Sequence, residues 1–193
     1  MMPDSLTSDE KTYLLNLARQ AIALVVNKEP LPPIDISTLS RLLKQEGASF
    51  VTLTKDGNLR GCVGALEPSM PLAEDVQYHA VAAALQDYRF PLVRIEEVPH
   101  LIIEISRLTI PQPLVYEAPQ DLVLHIRPHI DGVILRDGHR RATFLPQVWD
   151  QLPKANDFLA HLCQKMGAPS DLWEHRHLEV MTYQVEEFQE KSV

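Results

Sequence analysis

The 193-residue chain is 45% hydrophobic and 23% charged, a balance that excludes a disordered or coiled-coil chain and predicts one domain with a sizeable core and room for a smaller lobe. Its 18 basic against 26 acidic residues give a formal charge of −8 without any basic run, so no nucleic-acid partner is expected. The polar, acidic first ten residues do not read as a leader, no later apolar run approaches a membrane span, and two cysteines outside Cys-x-x-Cys spacing suit a reducing compartment, so a cytoplasmic protein is expected.

Thr7 and Glu10 have capping-box spacing, and Leu14, Leu17, Ala18, Ala21, Ile22 and Val25 then recur at helical period, predicting a first helix that ends before Pro30. Residues 30–33 read as an extended proline-rich connection and 39–43 as a short helical turn. Residues 49–54 and 59–66, joined by Lys55-Asp56-Gly57-Asn58, predict a β-hairpin. Leu72, Val76, Ala80, Ala83 and Ala84 mark a second helix over 71–86, stopped by Asp87-Tyr88-Arg89-Phe90-Pro91. Strands are predicted at 101–106, 122–127, 132–136 and 141–145, a third helix at 155–166, and one closing strand at 178–188. Hairpins outnumber strand-helix-strand units, so the expected architecture is α+β, a mainly antiparallel sheet flanked by helices.

The oddest segment is Leu59-Arg60-Gly61-Cys62-Val63-Gly64. Strand alternation puts Arg60, Cys62 and Gly64 on one face, roughly 6.5 Å separating neighbours two apart, so the arginine head can approach the thiol and favour a thiolate. Gly61 and Gly64 leave room for a ligand or another backbone to come close. The plainer alternative is a small buried cysteine beside a β-bulge, with Arg60 paired to a distant carboxylate. Glu104 interrupts the apolar run Leu101-Ile102-Ile103-Glu104-Ile105; it is either ion-paired with Arg60, Arg89 or Arg107, or at an exposed edge, or a general base in the cleft of Cys62. His79, at helical spacing from Val76 and Ala83, reads as a packing or a binding histidine. His125, His129, His175 and His177 lack a matching third ligand nearby, so no metal site is expected. Cys163 shares an apolar helical stripe with Leu159, Leu162 and Met166 and reads as core. No Gly-x-Ser-x-Gly elbow, Walker loop or dinucleotide fingerprint occurs.

Leu59-Arg60-Gly61-Cys62-Val63-Gly64 resembles the hallmark of the AMMECR domain family, known in microbes as AmmeMemoRadiSam system protein A, with valine for isoleucine at 63. Asp87-Tyr88-Arg89-Phe90-Pro91 is similar to the family's Asp-Pro-Arg-Phe-Pro segment, Tyr88 replacing proline, and Glu104-Ile105-Ser106 to its Glu-x-Ser strand. Leu145-Pro146-Gln147-Val148, Phe158-Leu159, Leu162-Cys163-Gln164-Lys165, Met166-Gly167 and Trp173 follow in the family's order, so the resemblance spans residues 1–193 as a single AMMECR domain. It implies an α+β fold with a larger and a smaller subdomain and a cleft between them near the hallmark. It further implies association with a Memo-like protein, related to extradiol dioxygenases, and a radical S-adenosylmethionine protein. It implies neither a defined reaction nor a cofactor.

Two functional expectations result. In the first the chain is an enzyme or enzyme component with Cys62 as nucleophile or redox thiol, Arg60 holding the thiolate or an anionic substrate, Glu104 accepting a proton, and Gly61, Gly64, Arg89 and His79 on the binding side. In the second it is a non-catalytic ligand- or protein-binding module in which a small side chain is all that position 62 requires.

Overall fold

The computed structural model describes residues 5–191. The chain forms two compact units, one from residues 5–108 and 186–191, the other Thr109–Val185.

The first unit begins with helix α1 (Ser8–Val26). Thr7 Oγ1 accepts the Glu10 N–H while the Glu10 carboxylate accepts the Thr7 N–H, the reciprocal cap that the spacing predicts. The helix buries Leu14, Ala18, Ala21 and Ile22. A single turn, α2 (Arg41–Lys44), leads to strand β1 (Glu46–Lys55), paired antiparallel with β2 (Asn58–Gly64). Asp56 and Gly57, at φ 52° and 76°, make the hairpin turn, whose two left-handed positions match the twist of the flanking strands. A short strand β3 (Met70–Pro71) pairs with the start of β1, and α3 (Leu72–Leu85) follows, with Pro71 at its N-cap. Strand β4 (Leu101–Leu108) runs antiparallel along the other side of β1.

In the second unit come β5 (Gln112–Pro113), α4 (Leu122–His125), β6 (Gly132–Asp137), β7 (Arg140–Phe144), α5 (Ala155–Lys165), α6 (Leu172–His175) and β8 (Glu179–Tyr183). They form a four-stranded sheet in the order β5-β8-β6-β7. The core includes Trp149 stacked on Phe158 at 3.7 Å between ring centroids, together with Leu159, Leu162 and a fully buried Cys163, the stripe that the helical spacing predicts. The chain then returns as β9 (Val185–Gln189) to complete the first sheet, in which β2-β1-β4-β9 lie side by side and β3 also pairs with β1.

Two expectations are corrected. The segment predicted as a strand at 122–127 is instead the helical turn α4, because the Asp121 carboxylate accepts the Ala118 N–H at 3.0 Å and starts a turn there. Leu122 and Ile126, four apart, are the buried pair, while Leu124 is 79% exposed; the alternating apolar letters conceal a helical period. The single closing strand at 178–188 is two strands in two sheets. They part at Gln184, whose N–H donates to Thr109 Oγ1 and whose carbonyl accepts the Thr109 N–H, both at 2.8 Å. Among the described residues no helix is long and apolar enough to cross a membrane.

Candidate functional site

The site is built on the β1–β2 hairpin, and glycine decides which face is which. A Cβ on Gly61 would lie 2.2 Å from the Ala83 carbonyl oxygen of α3, so residue 61 faces that helix and only a bare Cα fits. Cys62, the next residue, therefore points to the opposite face of the sheet. Gly64 is similarly filled, since a Cβ there would meet the Phe50 ring and the Ser49 carbonyl oxygen, both at 2.4 Å. The clearance around both glycines is occupied by the chain itself.

Cross-strand pairing places Thr52 opposite Cys62 and Glu104 opposite Thr52. Directly opposed residues share a face, so Cys62, Thr52 and Glu104 form one row across three strands, about 10 Å from end to end. The Thr52 hydroxyl donates to Cys62 Sγ at 3.3 Å. The backbone of Cys62 is also held: its N–H donates to Asp87 Oδ2 at 2.8 Å, and its carbonyl accepts Arg89 Nη2 at 3.2 Å. Asp87 and Arg89 are themselves joined, Nε to Oδ1 at 2.9 Å and Nη2 to Oδ2 at 2.6 Å. The guanidinium hydrogen bonds, followed by the Cys62 and Arg89 backbone N–H groups, overcome burial and hold the Asp87 carboxyl well below the usual carboxylate range.

Arg60 goes elsewhere. Leu53 pairs with Gly61 and Thr54 with Leu59, which leaves Arg60 as the extra residue of a β-bulge and breaks the alternation that predicts it beside the thiol. Its guanidinium grips Glu97, Nε to Oε1 at 3.0 Å and Nη2 to Oε2 at 2.9 Å, and donates to the Pro91 and Leu92 carbonyls at 2.8 and 3.2 Å. Hydrogen bonding by Arg60 is the main reason the Glu97 carboxyl is pushed down to about 2, with the Arg94 N–H and Lys55 ammonium adding to it. The cation that touches Cys62 is Arg89.

Glu104 has none of the three expected arginine partners, since Arg60 holds Glu97, Arg89 holds Asp87 and Arg107 holds Glu186. Burial raises its pKa, and the nearby Glu187 adds to that rise. His79 lies on α3 and is therefore across the sheet from Cys62; its Nδ1 is 3.2 Å from Asp75 Oδ2, and that oxygen accepts the Ser49 hydroxyl at 2.5 Å. The four histidines weighed as metal ligands have separate neighbours: His125 Nδ1 the Asp121 carbonyl, His129 Asp150, His175 Asp171, and His177 the Tyr116 carbonyl.

Sequence reasoning missed Asp87 and Glu97, the two carboxylates that fix the hallmark. Asp87 stands two before Arg89, a spacing that allows a turn residue to grip its own arginine. Glu97 carried no local signal, because its partner is 37 residues away.

A family model described as AMMECR1 matches residues 15–188. The chain belongs to the AMMECR1 family. Among AMMECR1 relatives, a protein of Methanothermobacter thermautotrophicus is 39% identical over 192 residues, covering 96% of each chain. Protein MJ0810 of Methanocaldococcus jannaschii is 34% identical, covering 96% of this chain and 92% of its own. The crystal structure of the uncharacterized protein PH0010 from Pyrococcus horikoshii superposes with a TM-score of 0.73 at 33% identity, over 96% of this chain and 94% of that one. The hallmark, the Asp87–Arg89 turn and Glu97 all lie inside the matched span.

Proposed function

We propose that this AMMECR1-family protein is a cytoplasmic component of an enzyme system that acts with a Memo-like protein and a radical S-adenosylmethionine protein, and that Cys62 is the thiol of its small-molecule site. The observation that carries the reading is the way Cys62 is held. Asp87 takes its N–H, Arg89 its carbonyl and Thr52 its sulfur, yet the side chain remains partly exposed. A reactive group gains from such fixation because little orientation remains to be lost when substrate binds. Glu104, with its pKa raised, is suited to accept a proton at the far end of the row, and Arg60 secures the segment beside it through Glu97.

Anaerobic co-purification with the two partner proteins tests this, with Cys62→Ser as the variant. The expected result is a complex that forms with either protein but supports conversion only with the wild type. Absence of any complex, or full function with Cys62→Ser and Cys62→Ala, would overturn it.

The second reading, a non-catalytic binding module, is favoured by one observation: Arg60 gives four hydrogen bonds to Glu97 and two backbone carbonyls and leaves the thiol without that cation. Under it, Cys62→Ala retains both partner binding and biological function.

A further inference from the structure

A cleft of about 510 Å³ opens beside the hallmark, between the end of β1, Arg60 of β2 and residues 90–97. Its inner wall is preformed. Glu97 is shared by two cations, Arg60 at 2.9 Å and Lys55 at 3.3 Å, and its Oε2 also accepts the Arg94 N–H at 3.0 Å. One carboxylate between two cations leaves one positive charge in excess. At the rim stand one further cation, Arg94, and one further anion, Glu96, so the excess persists. In a chain of formal charge −8 this is a local reversal of sign. Phe90 and Pro91 supply a flat apolar wall next to these charges, and the volume is that of a metabolite-sized site.

We propose that this cleft binds a small organic anion, a phosphate monoester or carboxylate with a flat apolar body, its charge received by Arg94 and Lys55 and its body lying on Phe90 and Pro91. Arg60 and Glu97 act here as a rigid floor, their charges already matched to each other, so that binding needs no rearrangement of the hallmark. Lys55 and Arg94 are exposed enough to capture an anion from solvent, which makes the affinity fall as salt is added. This goes beyond the thiol reading and does not depend on Cys62 reacting.

The test is a backbone-amide NMR titration of the whole chain at low ionic strength with phenyl phosphate, inorganic phosphate and uncharged benzyl alcohol. Phenyl phosphate is expected to produce saturable shifts confined to Lys55, Arg60 and residues 90–97, and to bind about tenfold more tightly than inorganic phosphate, with benzyl alcohol weaker than both. Arg94→Gln should weaken phenyl phosphate binding about fivefold or more. Lys154→Gln, which removes an exposed cation of the second unit, should change nothing. Arg94 has an exposed side chain, so unchanged spectra away from the cleft will show that the variant is folded. No shift up to about 10 mM, shifts scattered over all basic residues, or equal binding by Arg94→Gln would overturn the proposal. None of these outcomes bears on complex formation with the partner proteins or on Cys62, which the titration does not use.

Discussion

Asp87 receives both the Arg89 guanidinium and the Cys62 N–H on one buried carboxylate, so the two most distinctive segments of the chain meet at a single side chain. The turn after α3 is thereby locked to β2. Asp87→Ala removes every one of these bonds and strands a backbone N–H. A loss of about 2 to 3 kcal/mol is expected from urea denaturation, with Asp87→Asn milder because an amide oxygen can still accept one of them.

Gly61→Ala should be at least as damaging for a different reason. The new methyl group would sit 2.2 Å from a helix backbone oxygen, which cannot rotate away as a side-chain end can. Helix α3 must move off the sheet, at a cost of about 3 kcal/mol, visible as a lower urea midpoint.

Two carboxylates predict opposite pH dependences. Glu97 is lowered from 4.5 to about 2, so its contribution to stability is complete above pH 4.5 and disappears as pH falls through about 2. Glu104 is raised from 4.5 by burial, so the folded state holds its proton more tightly than the unfolded one, and stability declines as pH rises above 4.5. In urea midpoints measured across this range, Glu97→Gln should flatten the acid limb. Glu104→Gln should remove the decline towards neutrality and raise the midpoint there.

The two cysteines should separate cleanly by access. Cys62 is partly exposed and Cys163 fully buried, and burial also pushes the Cys163 thiol pKa up. Titration with a thiol reagent should label one cysteine in the native protein, identified as Cys62 by peptide mapping, and the second on unfolding. Equal labelling of both in the native state would contradict the packing of α5.

Elements with strong local signals were legible in the sequence. The Thr7–Glu10 cap, the Asp56-Gly57 turn and the stripe through Leu159, Leu162 and Cys163 are each specified by residues a few positions apart. The hallmark and the Asp87–Phe90 turn were also singled out by family resemblance. For Arg60 two directions were open, and the structure takes the plainer one, a β-bulge with a distant carboxylate; which of the two, and which carboxylate, depends on register with β1 and on a later segment. Segment 122–127 misled for the reverse reason: its letters alternate, but the turn closed by the Ala118 N–H on the Asp121 carboxylate runs directly into a helical turn. The split at Gln184 depends on Thr109, 75 residues earlier, which no local pattern can announce.

The return of β9 to the first sheet makes the order of synthesis matter. Glu186 accepts from the Leu6 N–H and pairs with Lys11 and Arg107, while Glu190 grips Arg19 and accepts the Ile103 N–H. A growing chain that has emerged as far as Leu108 has made the hallmark hairpin and α3 but not the strand that covers the edge of β4. That edge stays open until residues 185–189 have been made, so a nascent first unit must either wait for that strand or pair with something else.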